Sequence, residues 1–220
     1  MIRAKSIAAF RGELERAAAI GAEYLVLHPG SHKGRSAEEG ITAFVRALGD
    51  AAVGFHSRGL TVLLENTAGA GSHLGGRFEE LAAIRERAGD VTDLPIGYCL
   101  DTCHLLAAGF DIATPAGLRA TVRHAERLLG LGNVHVIHAN DSKTQLGSRV
   151  DRHAHIGEGH IGLAAFRRIL THPALREKPF ILETPIDEPG DDRRNLDTLK
   201  RLVLVGWKST PHYARKALRP

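Results

Sequence analysis

The 220-residue chain predicts an α/β fold, a parallel barrel of the (β/α)8 type that is incomplete, with about five βα units present. Three observations lead there. The apolar period alternates between helical and strand spacing, which implies repeated βα units and a parallel sheet with right-handed crossovers. The strand-like runs end on ligand-type side chains: His28, Glu65, Asp101, His138 and Glu183. A parallel barrel gathers its strand C-termini at one face, and such folds carry their chemistry there. Finally, a closed barrel needs eight strands and typically about 250 residues, and this chain opens on a helix. The barrel is therefore expected to be short by about three βα units at its N-terminal side, with Met1 a true start, a mis-assigned start or a boundary.

The elements follow in order. Ile7, Phe10, Leu14 and Ala18 are spaced for a helix over 6–20, before a strand 24–28. Ile41, Phe44, Val45, Leu48, Ala52 and Phe55 predict a helix over 37–58 stopped by Gly59. Strand 61–65 leads into a Gly-rich loop, Ala68-Gly69-Ala70-Gly71, and a helix over 77–88. Pro95 and Gly97 introduce strand 97–101. A helix over 115–129 is broken by Gly130 and Gly132 before strand 134–138. A long loop over 139–161 carries Asp151 and His153, and loops beyond about 12–15 residues are usually functional or disordered. Helix 162–171, strand 180–183 and helix 194–205 complete one domain, 1–206. A basic, Pro-containing tail, 207–220, is expected to be loosely held.

Composition narrows the function classes. Apolar content of 43% and charge of 25% are ordinary for a soluble globular protein. No run approaches a membrane span, no secretory leader is visible, and the two cysteines, Cys99 and Cys103, sit too close for a disulfide framework. A cytoplasmic protein with no membrane contact and no obligate protein partner is expected, with both thiols acting as small buried hydrophobes. A net charge of +4 is compatible with a polyanionic partner but does not demand one.

The candidate site is a joint observation. A lone strand-end histidine such as His28 is more often a hydrogen-bonded polar residue than a ligand. Glu65, Asp101 and Glu183, however, each end an apolar strand, and carboxylates buried together require cations. Asp101-Thr102-Cys103-His104 puts a carboxylate and an imidazole about one helical turn apart. Asp151-Arg152-His153 puts both on one side of an extended segment. His28, Glu65, Asp101, His104, His138, Asp151, His153 and Glu183 are thus candidate metal ligands, of a kind that suits zinc and related divalent ions. His135 is out of phase with His138 and is expected to face away. His32, His73, His155 and His160 lie in loops near the site. Lys143, Arg149 and Arg152 make the long loop basic, which reads either as solvation or as phosphate contact.

Several stretches taken together resemble the endonuclease IV family of apurinic/apyrimidinic endonucleases. They are His28-Pro29-Gly30-Ser31-His32, Glu65-Asn66-Thr67-Ala68-Gly69, Asp101-Thr102-Cys103-His104, His138-Ala139-Asn140-Asp141-Ser142-Lys143, Ser148-Arg149-Val150-Asp151-Arg152-His153 with Gly157-Glu158-Gly159, and Leu182-Glu183-Thr184-Pro185. The resemblance runs from about residue 5 to about residue 205. It implies a TIM barrel with three zinc ions that cleaves double-stranded DNA 5′ to abasic sites in base excision repair. It implies that His28 and Glu65 hold the first zinc, that Glu65 bridges to a second completed by Asp101, His138 and Glu183, and that His104, Asp151 and His153 hold the third. Glu65 and Glu183 are the implied catalytic groups, and Lys143, Arg149 and Arg152 the implied DNA contacts. The family's first zinc takes a further histidine from an upstream strand that this sequence does not contain, so that site is expected to be incomplete. The Gly-rich loop, Ala70-Gly71-Ser72-His73, also departs from the family pattern. Two alternatives stand beside this reading: a sugar isomerase or epimerase on a xylose-isomerase-like barrel, and an inactive remnant. The ligand types suit zinc and manganese alike.

Overall fold

The computed structural model describes residues 2–57 and 59–208. Helix α1 (Ile2–Ala19) precedes β1 (Tyr24–Leu27), α2 (Ala37–Ala52) precedes β2 (Thr61–Glu65), and α3 (Phe78–Ala88) precedes β3 (Ile96–Asp101). A short α4 (Thr102–Ala108) and α5 (Pro115–Leu129) lead through a 3-10 turn at Leu131–Asn133 to β4 (Val134–His138). Strands β5 (Asp141–Ser142) and β6 (His153–Ala154) form an antiparallel ribbon. The chain then runs through α6 (Gly162–Thr171), β7 (Phe180–Ile181) and α7 (Asp191–Lys208).

Five strands form one parallel sheet in the order β1-β2-β3-β4-β7. This is part of a (β/α)8 barrel, with β1 and β7 at its two edges. The main core lies between the sheet and the helices, with Phe78, Leu81, Ile84, Tyr98 and Phe166 almost fully buried. A second cluster on the sheet joins Leu63, Cys99 and Val136 to the half-buried Tyr24 and Val26. Central strands β2 and β3 are buried almost throughout, which is why they read as continuous apolar runs.

Local chemistry sets the ends of the helices. Ser36 and Glu39 form a reciprocal capping box at the start of α2. Thr114 caps α5 and Pro115 occupies its first turn. Asp101 caps α4, its Oδ1 accepting from the His104 backbone N–H at 2.7 Å, and Gly109 ends that helix at φ 103°. A predicted metal ligand therefore also starts the helix that carries the next one.

Several boundaries differ from expectation. Helix α2 stops at Ala52, because Gly54 takes φ 66° and turns the chain well before Gly59. Strand β7 covers only Phe180–Ile181, leaving Glu183 two residues beyond it. The long loop is folded, with β5 and β6 pairing inside it. Helix α1 starts at Ile2 and α7 runs to Lys208, so the predicted tail begins inside a helix, and its residues 209–220 lie outside the described part. Among the described residues no helix is long and apolar enough to cross a membrane.

Candidate metal centre

Glu65, Asp101 and His138 are the last residues of β2, β3 and β4. His28 lies just past β1, and Glu183 just past β7. Parallel register sets Asp101 beside His138. Helix α4 turns His104 back over the same end of the sheet, and the β5–β6 ribbon brings in His153, with Asp151 beside it. All eight sequence-predicted residues meet there. Ligand atoms of Glu65, Asp101, His138 and Glu183 lie within 4.8 Å of one another, as do those of Asp101, His104 and His153, and of His28, Glu65 and His104. His104 Nε2 is 3.1 Å from Asp151 Oδ2, and His153 Nε2 is 3.3 Å from Asp151 Oδ1.

Glu65 lies at the centre. Its carboxylate is 3.0 Å from His28 Nε2, 3.5 Å from His104 Nδ1 and 2.9 Å from His138 Nδ1. His138 Nδ1 is also 3.0 Å from Glu183 Oε2. The sequence pairs His104 with Asp101, and the family resemblance groups it with Asp151 and His153. The structure also sets His104 Nδ1 3.5 Å from the Glu65 carboxylate, so the groups of candidate ligands adjoin one another.

A shell of uncharged residues holds these groups. Asn66 Oδ1 accepts from the Asp101 backbone N–H at 2.7 Å, and its Nδ2 donates to the Asp101 carbonyl at 3.3 Å. Asn140 Nδ2 donates to Asp101 Oδ2 at 2.5 Å, while its Oδ1 accepts from the Glu183 N–H at 2.8 Å. Thr102 Oγ1 donates to the Asn140 carbonyl at 2.7 Å. Sequence reasoning gave none of these three a role. The available signal was an asparagine directly or two residues after a strand-end ligand, in Glu65-Asn66 and His138-Ala139-Asn140, a pattern that otherwise reads as a turn.

Two histidines are held by contacts to backbone carbonyls. His104 Nδ1 lies 2.9 Å from the Asn66 carbonyl, and His153 Nδ1 lies 2.8 Å from the Glu183 carbonyl. A carbonyl only accepts, so Nδ1 carries a proton in each, and Nε2 is the nitrogen that could bind an ion once any proton on it is displaced, the usual arrangement for a ligating imidazole. His153 Nε2 is buried and has no hydrogen-bond partner. A buried nitrogen without a hydrogen bond, between the Asp151 carboxylate at 3.3 Å and the Asp101 carboxylate at 3.9 Å, fits a cation at that point.

Electrostatics point the same way. Burial opposes ionisation of Glu65, yet hydrogen bonds from His104, His138 and His28 hold its carboxyl far below the usual range. Burial would lower the His138 pKa, but hydrogen bonds to Cys99, Glu183 and Glu65 outweigh it and push it up to about 12. His104 moves up to about 11 against burial, through Asp151, Glu65 and Asp101. Asp101 is fully buried and moves up because desolvation dominates. Without a metal, protons on imidazoles balance this site, and a divalent ion could replace them.

Cys99 and Cys103 are buried and unpaired, as expected, and burial pushes each thiol up to about 11. Their sulfurs nevertheless lie beside the cluster, Cys99 near Glu65 and His138, and Cys103 near Asp151 and His153. His135 stands apart, stacked on Tyr24 with ring centroids 5.4 Å apart. His155 bonds to Asn195 on α7, and the backbone of His73 bridges to Ser31. Lys143, Arg149 and Arg152 are exposed on the loop that carries Asp151, with Arg149 at φ 57°.

Residues 2–202 match the xylose isomerase-like TIM barrel family. The chain is 73% identical over 203 residues to a protein of Solibacter usitatus named probable endonuclease 4, covering 92% of this chain and 70% of that one. It superposes on endonuclease IV from Thermus thermophilus with a TM-score of 0.77 at 41% identity, covering 91% of this chain and 69% of that one. A D-tagatose 3-epimerase-like protein also matches, at 21% identity with a TM-score of 0.67, covering 94% of this chain and 72% of that one, and this shows a shared fold alone.

Proposed function

The chain belongs to the endonuclease IV family of the xylose isomerase-like TIM barrels, and from that premise we propose that it hydrolyses the DNA phosphodiester 5′ to abasic sites, using zinc, in base excision repair. The observation that carries the reading is the meeting of eight His, Asp and Glu side chains at the C-terminal ends of the strands, with Glu65 touching three imidazoles.

In this reading Asp101, His138 and Glu183 would share one ion with Glu65, while His104, Asp151 and His153 would hold another, and His28 with Glu65 would hold part of a third site. Ions held there would supply Lewis acidity toward the phosphate and a nucleophilic water near neutral pH. Glu65, buried and central, could contribute to two of these sites at once. Glu183 is about half exposed, and its carboxylate can hold an attacking water in line with the phosphorus. Burial of Asp101 keeps it from competing for that water. Lys143, Arg149 and Arg152 project from the rim, where they can position phosphates without reading sequence. The isomerase alternative leaves the His104, Asp151 and His153 group without a task.

The test is an abasic-site duplex incubated with the zinc-loaded protein. Cleavage 5′ to the lesion, abolished by a chelator and restored by Zn2+, is expected. A protein fully loaded with zinc that leaves such a duplex intact would overturn the proposal.

A further inference from the structure

Asp141 is a fully buried carboxylate that reaches none of the eight cluster residues. Its oxygens accept from four backbone N–H groups. Oδ1 takes Ser142 at 2.8 Å and Ile161 at 2.9 Å. Oδ2 takes Gly157 at 2.9 Å and Gly162 at 3.2 Å. These donors lie on both sides of the segment that carries Asp151 and His153. Asp141 thus ties the outgoing leg of the loop to its return leg and to the first turn of α6.

The surrounding backbone is built to admit this carboxylate. Gly157 takes φ 90° and Gly162 takes φ 75°. Gly159 passes so close that a Cβ there would overlap the Ser142 carbonyl and the Asp141 carboxylate. This accounts for Gly157-Glu158-Gly159, which no metal contact explains. The ribbon then pairs Asp141 with Ala154 and Ser142 with His153, so any shift at Asp141 moves His153 directly.

We infer that Asp141 is a positioning residue for the His104, Asp151 and His153 ion site: it fixes the backbone that presents two of the three ligands. The inference rests on reading that group as an ion site. Asp141→Asn keeps the shape but swaps an acceptor for a donor. Two of the four N–H groups lose their partner and face an N–H instead.

Zn2+ titration of the 220-residue chain against a competing chelator tests this. In Asp141→Asn one ion should bind about ten- to a hundredfold more weakly, with the others unchanged, as is typical when support behind a metal ligand is lost. Cleavage by this variant should recover when Zn2+ is raised, which a general loss of folding would not allow. Gly159→Ala, pressing on the same carboxylate from outside, should give the same selective loss. Asp111→Asn is the control, because Asp111 also accepts backbone N–H groups, from Ala113 and Thr114, but remote from the cluster. It should leave every zinc affinity unaltered. Wild-type zinc affinity in both Asp141→Asn and Gly159→Ala, equal weakening of all ions, or unfolding of both variants without metal would each overturn the inference. Failure of the wild-type chain to bind zinc would instead reject the metal reading itself, and the inference with it.

Discussion

Glu65 can hold the cluster together only as an anion. Replacing it by Gln keeps its volume but removes the charge and puts an NH2 toward one of the imidazoles it now accepts from. We expect Glu65→Gln to fold and to lose almost all cleavage. A rate within about tenfold of wild type, roughly 1.4 kcal/mol of barrier, would contradict its bridging role. The same residues set a pH profile for the metal-free protein. Glu65 is depressed below its ordinary 4.5, so its contribution to stability is present above that value and lost as pH falls below it. His104 and His138 are raised from 6.5, so theirs is present below 6.5 and lost as pH rises toward about 11 and 12. Asp101, raised from 3.8, also favours the lower pH. Thermal melts in chelator should therefore peak between pH 4.5 and 6.5. Zinc affinity should rise with pH over the range where the melting temperature falls, because the ion competes with imidazole protons. A metal-free melting temperature that climbs from pH 6 to 9 would reject this charge assignment. Residue by residue, the eight clustered side chains were legible because each ends an apolar run or sits in a short motif. Asn66, Thr102, Asn140 and Asp141 were not, because their partners are backbone groups distant in sequence and only the fold brings them together.

At the scale of elements, legibility followed the strength of local signals. Helix α5 matches its expected bounds, since Thr114, Pro115 and Gly130 mark both ends chemically. Strand β4 and α6 match as well. Helix α2 was read too long because Phe55 continues the apolar period past the real stop, and the reversal at Gly54 depends on backbone conformation, which periodicity does not report. The β5–β6 ribbon was missed because two-residue strands have no period to detect. The capping box of α2 offers a test kept away from the site. Ser36 Oγ accepts from the Glu39 N–H at 3.1 Å, and Glu39 Oε2 accepts from the Ser36 N–H at 3.1 Å. Ser36→Ala should cost about 1 kcal/mol of unfolding free energy, measured by urea denaturation, and leave zinc content unchanged. A loss of zinc in that variant would show that α2 is coupled to the cluster in a way these contacts do not convey.

The whole molecule raises the question of its sheet edges. A closed barrel has none, whereas in the described residues β1 and β7 each pair on one side only. Strand β1, Tyr24-Leu25-Val26-Leu27, is apolar throughout and only half buried along its length. Tyr24 and Val26 complete the cluster of Leu63, Cys99 and Val136, and that cluster has no further strand on the β1 side. No proline or charged side chain guards this strand, and an exposed apolar edge templates pairing with another chain. The chain spans about 70% of the length of the probable endonuclease 4 of Solibacter usitatus. The 220-residue chain expressed by itself should therefore self-associate with rising concentration. Adding strand-forming sequence N-terminal to it should reduce that tendency. Val26→Lys separates edge pairing from unspecific collapse, because a charge in the middle of β1 blocks strand addition while leaving the helix-facing core intact. Sedimentation across a concentration series should show mass growing for the wild-type chain and less growth for Val26→Lys. A wild-type chain that stays monomeric at every concentration, with full zinc loading and normal turnover on abasic DNA, would mean that the β1 edge is shielded by an arrangement other than the one described.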